Sequence, residues 1–212
     1  MSGCLITLEG GEGAGKSTVL SAVRERIEAH DIRLQVTREP GGTALGESVR
    51  AIVLDAAQLE VCAESELLLM FAARAQLVRE VIAPALARGD WVLSDRFTDA
   101  SYAYQGGGRG QPIERIAELE RWAADGVRPD LTLLLDLPVA QGLARAGNRG
   151  EPDRIEREQT DFFEQVRSAY RARAAAEPAR FSVIDSSRDI DTVRAAACAA
   201  IDAFIAARKV AS

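Results

Sequence analysis

Residues Gly10-Gly11-Glu12-Gly13-Ala14-Gly15-Lys16-Ser17 fit the pattern G-x-x-x-x-G-K-[ST] of a phosphate-binding loop. Glycines at these spacings let backbone N–H groups turn toward an anion, and a helix starting at Lys16, Ser17 and Thr18 adds partial positive charge. Lys16 has the reach for the β- and γ-phosphates of ATP, and the Ser17 hydroxyl suits Mg²⁺. The bland alternative is a glycine-rich turn that carries Gly-Lys-Ser by chance. The flanks argue against it: residues 4–8 form an apolar, β-branched run, and residues 18–29 repeat Val19, Leu20, Val23 and Ile27 at helical spacing. Of the 26 lysines and arginines only Lys16 and Lys209 are lysines. A compact ammonium suits a tight loop better than a planar guanidinium.

Other residues able to do chemistry stand where strands give way to loops. Arg38 follows a short strand at 34–37 and opens Arg38-Glu39-Pro40-Gly41-Gly42-Thr43; it is either a ligand contact or a solvent ion pair with Glu39. Asp95 ends the apolar strand 91–95, placed to hold Mg²⁺ or its water, and Arg96 adds charge beside it. Arg74 interrupts the apolar stripe of a long helix at 64–88 and projects near Met70 and Phe71. An arginine on an apolar face needs a partner. It either holds a flat polar ring beside the aromatic or thioether plane, or forms a buried ion pair. Ser101, Tyr102, Tyr104 and Gln105 lie on a short helical stretch, 98–105, before a flexible Gly106-Gly107-Gly108 run. They read as a substrate-facing segment or as a polar surface helix. Residues 145–157 carry Arg145, Arg149, Arg154 and Arg157 between Gly147, Gly150 and Pro152, the composition of a cationic flap or of a solvated charged loop.

The elements that must position these residues follow in order. Thr43 is placed to cap a helix with Leu45, Val49, Ile52 and Val53 inward and Glu47 and Arg50 outward. Pro84 kinks the long helix or marks its last turns. A helix at 112–125 turns Ile113, Ile116, Leu119 and Trp122 inward, and 131–136 is a nearly all-apolar central strand. Residues 139–146 are helical, helix resumes near 155 and runs to about 176, and 181–185 is a last strand before a helix at 191–207. Five apolar strands alternating with helices predict an α/β fold: an open parallel sheet with helices on both faces and ligands at its carboxyl edge. Length predicts one domain over residues 1–212, with a lid segment at about 146–157.

Composition narrows the classes. A net charge of −6 argues against nucleic-acid binding, so a polyanionic substrate must be held by local arginine clusters. No run of 18 apolar residues and no basic segment leading into an apolar core occurs, so neither membrane insertion nor secretion is expected. Cys4, Cys62 and Cys198 are scattered and odd in number, as in a reducing, cytoplasmic compartment. His30 is the only histidine, which excludes a Ser-His-Asp mechanism.

Three readings of the loop compete: a small-molecule phosphotransferase, a nucleotide switch, and an anion-binding module. No Asn-Lys-x-Asp for guanine selection occurs, and a binding module leaves the cationic flap unexplained. Phosphoryl transfer under an arginine-rich lid accounts for both. Thr37-Arg38-Glu39-Pro40-Gly41-Gly42-Thr43, Asp95-Arg96-Phe97, residues 103–110, Arg128-Pro129-Asp130-Leu131-Thr132 and Asp153-Arg154-Ile155-Glu156, in register with the loop, resemble the bacterial thymidylate kinases over nearly the whole chain. The resemblance implies a nucleoside-monophosphate-kinase fold and γ-phosphoryl transfer from ATP to dTMP with Mg²⁺, giving dTDP for dTTP synthesis. The alternative is a kinase for another nucleoside monophosphate. The resemblance further implies that Gly10 to Thr18 and Arg145 hold ATP, with Lys16, Arg96, Arg149 and Arg154 stabilising the transferring group. Ser17 and Asp95 would serve the metal. Arg38 and Arg96 would hold the acceptor phosphate, and Glu12 the deoxyribose 3′-hydroxyl. Arg74 and Ser101 would face the thymine edge with Arg50 and Gln105 nearby. Met70 or Phe71 would cover the ring, and Tyr104 would exclude a 2′-hydroxyl. Gly13 stands where another branch of the family carries an arginine. A homodimer is also implied, compatible with the broad apolar stripe on 64–88.

Overall fold

The computed structural model describes residues 3–55, 60–147 and 153–210. Five strands, β1 (Leu5–Gly10), β2 (Leu34–Arg38), β3 (Trp91–Asp95), β4 (Leu131–Asp136) and β5 (Phe181–Asp185), form one sheet in the order β2-β3-β1-β4-β5, all parallel. β1 lies centrally and is buried along its whole length, as its continuous apolar run requires. The chain moves from β1 outward to β2 and returns through β3, then crosses to β4 on the other side. This reversal opens the crevice above the carboxyl end of β1, where a ligand fits.

Helices cover both faces. On one, α1 (Lys16–Glu28) and α9 (Ile190–Val210) pack Val19, Val23, Ile27, Ile201 and Ile205 onto Ile6, Leu8, Leu93 and Leu133. On the other, α8 (Thr160–Ala176) lays Phe162, Phe163, Val166 and Tyr170 onto Leu134 and Tyr104. Burying each such side chain stabilises the fold by about 1.5–3 kcal/mol, which fixes strand ends rigidly under the site.

The long helical pattern is α3 (Ala63–Leu77), a π-helical turn at Val78–Ile82 and α4 (Ala83–Ala87). Pro84 sits in that last segment, just after the widened turn. α2 (Ala44–Leu54) begins at Thr43, whose Oγ1 accepts from Gly46 N at 3.0 Å.

Several expectations are corrected. Leu45 and Ile52 are exposed, as are Ile113 and Trp122 of α6 (Ile113–Ala123), with Trp122 at 78%; Leu68, on the apolar stripe of 64–88, is exposed too. Helix does not resume at 155: residues 154–157 form turns and α8 starts at Thr160. The glycine run is not a loose hinge either. α5 (Thr98–Ser101) continues as a π-helical segment, Tyr102–Gly108, through all three glycines. A Cβ on Gly108 would lie 2.4 Å from Phe162, and one on Gly107 2.8 Å from the Gln165 carbonyl oxygen. The glycines are there so that α8 can press directly on this segment, and it is this contact that sets where Tyr104 and Gln105 stand. α7 (Val139–Ala146) completes the helices described.

Candidate active site

The phosphate loop folds between β1 and α1 with Gly10, Gly13 and Gly15 at φ of 146°, 69° and 87°. A side chain at Gly13 is blocked, because its Cβ would lie 2.1 Å from the Gly142 carbonyl oxygen on α7. The loop therefore rests on that helix and has no room for an arginine at this position. Lys16 Nζ donates to the carbonyls of Gly10 and Gly11 at 3.1 and 3.0 Å. Desolvation and the Arg96 charge lower its pKa, while Glu12, Asp95 and Glu9 support the ammonium. Ser17 and Thr18 are exposed at the start of α1. Ser186 Oγ donates to the Ala14 carbonyl at 2.7 Å, and Arg145 Nη1 donates to the Ser186 carbonyl at 2.9 Å, so Arg145 sits beside the loop through this brace.

A cavity of about 290 Å³ opens above the sheet's carboxyl edge. It gathers Glu12 to Ser17 from the loop, Arg38 and Asp95 from paired strand ends, Arg50, Met70, Arg96, Tyr104 and Gln105. Asp153, Ile155 and Glu156 close one side. Arg38 stays at the rim, where Nη2 donates to Glu47 Oε2 at 2.9 Å; its acidic partner is Glu47, not Glu39. Arg50 Nη1 donates to the Pro40 carbonyl at 3.1 Å.

Arg96 is the hub. It leaves β3 with φ of 71°, a left-handed backbone that costs a non-glycine residue about 1–3 kcal/mol and is held by its surroundings. Its Nη2 donates to Glu12 Oε1 at 3.0 Å and to Tyr104 Oη at 2.9 Å; its Nη1 donates to Tyr170 Oη and to the Gly10 carbonyl. Tyr104 Oη donates to Glu12 Oε1 at 2.8 Å, and the guanidinium lies 4.6 Å from the Tyr104 ring centre. Burial opposes the charge on Arg96, but Tyr104, Tyr170, Glu12 and Asp95 hold its pKa well above the ordinary value. Behind it, Glu9 is fully buried and takes Phe97 N–H at 2.8 Å and Tyr170 O–H at 2.7 Å. Burial, then the Asp99 charge, push Glu9 up to about 8, while Arg96, Tyr170 and the Phe97 amide pull it down.

Arg74 does not line the cavity. It is fully buried, paired to Glu39 through Nε and Nη2, and donates from Nη1 to Ser101 Oγ at 3.0 Å and from Nη2 to the Phe97 carbonyl. Phe71 stacks under its guanidinium at 4.5 Å, behind the wall, whereas Met70 is on the wall. Ser101 is buried with Arg74. Arg154 also points elsewhere. Its Nη2 binds Glu66 and its Nε donates to the Val53 carbonyl at 2.7 Å. Arg149 lies outside the described residues.

Sequence reasoning alone does not single out Glu9, Glu39, Glu66 and Tyr170. Two of them left a signal. Glu66, like Arg74, is a charge inside an apolar stripe, and Glu9 closes an apolar strand; each is a buried acid that needs donors. The residues also fit a magnesium ion. Asp95 Oδ1 is buried without a hydrogen-bond partner, and Ser17 stands exposed at the loop's end. Mg²⁺ takes one or two protein oxygens and completes its shell with water and phosphate oxygens. No trio of His, Cys, Asp or Glu gathers among the described residues, so an all-protein metal cage is not formed there.

A parallel sheet, a phosphate loop after its central strand and an arginine-rimmed cavity over that edge define a phosphate-loop enzyme of the nucleoside-monophosphate-kinase class. The thymidylate kinase family model matches residues 8–197. A protein named thymidylate kinase from Pseudomonas putida (strain GB-1) is 55% identical over 194 residues, 92% of each chain. One from Methylococcus capsulatus is 55% identical over 204 residues, covering 96% of this chain and 97% of its own. The crystal structure of thymidylate kinase from Ehrlichia chaffeensis superposes with a TM-score of 0.71 at 31% identity, over 87% of this chain and 93% of that one. The chain belongs to the thymidylate kinase family.

Proposed function

We propose that the chain transfers the γ-phosphoryl group of ATP to the 5′-phosphate of dTMP, giving dTDP and ADP, as its family membership indicates. The observation that carries the reading is that one cavity holds both a phosphate loop and a second cluster of anion-binding arginines. A phosphate oxygen of dTMP attacks the γ-phosphorus, the bond to the ADP oxygen breaks, and no proton needs to be removed. Catalysis is then positioning and charge neutralisation. Lys16 and the loop amides orient the donor. Arg38 and Arg96 hold the acceptor phosphate, with Arg50 beside them. Glu12 receives the sugar 3′-hydroxyl, and Tyr104, wedged between Arg96 and Phe162, fills the space a 2′-hydroxyl would need. Met70 covers the base. Ser17 and Asp95 hold Mg²⁺, which neutralises phosphate charge when bound. Arg149 and Arg154 belong to a lid over about 146–157 of a single domain, and Arg154 must leave Glu66 to reach the transferring group.

The enzyme works in the cytoplasm, in keeping with three unpaired cysteines, and as a homodimer through the exposed apolar residues Leu68, Ile113 and Trp122. Among the described residues no helix is long and apolar enough to cross a membrane. The deciding experiment compares dTMP, dUMP, dCMP and AMP as acceptors by coupled ADP release. dTMP is expected to give the highest kcat/KM. AMP as the best acceptor would assign the chain to a different nucleotide kinase.

A further inference from the structure

Glu66 on α3 is a carboxylate with no exposure to solvent, and it does not line the cavity that would hold the phosphates. Donors from two separate segments converge on it. Gln105 Nε2 donates at 2.9 Å, Arg109 Nε donates to both oxygens, and Arg154 Nη2 completes the set. Burial raises the pKa of such a group, but the hydrogen bonds from Arg154 and Gln105 and the Arg109 charge outweigh it, and Glu66 stays below the ordinary carboxylate value. It is therefore an ionised, acceptor-only group. An amide facing it has one choice: the NH₂ end must turn toward Glu66, and the carbonyl end must turn away.

Gln105 is that amide. It is 97% shielded (3% exposed), lines the substrate cavity, and its Oε1 is buried with no hydrogen-bond partner. A buried acceptor without a donor is costly unless something brings one. We propose that Glu66 is a specificity-determining positioning residue: it locks the Gln105 side-chain amide so that an acceptor, never a donor, faces the base of the nucleotide to be phosphorylated. The inference rests on the reading that this cavity takes a nucleoside monophosphate. A fixed acceptor satisfies the N3–H of thymine or uracil and opposes the N3 lone pair of cytosine. A free glutamine would serve either by turning over, so the discrimination belongs to Glu66 as much as to Gln105. Arg109 is itself held by Glu158, at 2.5 Å, so its place against Glu66 is fixed from a second side.

The test measures kcat/KM for dTMP and dCMP in the full-length enzyme, Glu66→Gln, Gln105→Met and the double variant, each checked for folding by circular dichroism. In Glu66→Gln the residue at 66 can donate or accept, the amide is released, and the dTMP:dCMP ratio falls at least about tenfold, the effect of one hydrogen bond gained or lost. Gln105→Met, which keeps the arginine pairs of Glu66 intact, shows the same fall, and adding Glu66→Gln to it changes the ratio no further. A folded Glu66→Gln enzyme with the wild-type ratio overturns the proposal. If Glu66→Gln does not fold, Gln105→Met alone decides, and wild-type discrimination in that variant overturns it. An additive further loss in the double variant also overturns it, because Glu66 would then act without Gln105. A wild-type enzyme that phosphorylates neither dTMP nor dCMP instead removes the functional reading beneath.

Discussion

An acid in an anion-binding loop is tolerable only if something neutralises it. Glu12 has Arg96 at 3.0 Å and the Tyr104 hydroxyl at 2.8 Å. On the proposed reading the trio would join the donor loop to the acceptor side, so that one residue's geometry would bear on both substrates. Lys16 is the separate part of the loop, folded onto the Gly10 and Gly11 carbonyls. Lys16→Ala is expected to leave the melting curve close to wild type and to lower kcat at least about a hundredfold, as loss of a charged group acting in the transition state does. A variant that keeps most of its turnover would refute the loop's role. Tyr104→Ala acts on the sugar instead: the ratio of kcat/KM for dTMP over the ribonucleotide should drop, while Tyr104→Phe, which keeps the ring, should largely retain it. Unchanged discrimination in Tyr104→Ala would reject the steric role.

At the scale of elements, β1 delivers Glu9 to the point where β3, α5 and α8 meet, facing Asp99, Arg96, the Phe97 amide and Tyr170. Lys16 on α1 feels its charge. Its carboxyl is raised from 4.5 to about 8, so the folded chain holds that proton more tightly than the unfolded chain does. The stability this contributes is fully present below about pH 4.5 and lost as pH rises through about 8. Glu9→Gln should remove that slope, flattening denaturation free energy between these limits by an amount on the order of a few kcal/mol. Parallel urea titrations with the same slope in both proteins would contradict the assignment. The element scale is also where the sequence was most legible. The strands and the loop follow from short apolar segments and glycine spacing, most clearly for the central strands β1, β3 and β4, which are buried along nearly their whole length. Two kinds of feature were not legible. Whether Ile113 or Trp122 turns in or out depends on how α6 is rotated, which periodicity over three turns leaves open. The pairing of Arg74 with Glu39 and of Arg154 with Glu66 joins residues 35 and 88 positions apart, so only the folded chain brings them together.

For the whole molecule, a net charge of −6 goes with Lys16, Arg38, Arg50 and Arg96 gathered at one edge of the sheet and an apolar face elsewhere. On that face α3 and α6 expose Leu68 at 57% and Trp122 at 78%. The same helix α3 buries Glu66, Met70 and Arg74, and of these Met70 reaches the cavity wall. A partner seated on Leu68 and Trp122 would thus press on the helix that carries Met70 on the cavity wall and Glu66 against Gln105. Stable interfaces bury about 1,600 Å² in total and depend on a few central apolar anchors. Placing charge at two such anchors, in Leu68→Asp with Trp122→Glu, is expected to shift sedimentation equilibrium from dimer to monomer. The monomer should keep its fold but show KM for dTMP raised several-fold with the ATP KM little changed, because α1 packs on the opposite face of the sheet from α3. A variant that remains dimeric would place the interface elsewhere, and a monomer with unaltered KM for dTMP would show that α3 needs no support from a second chain.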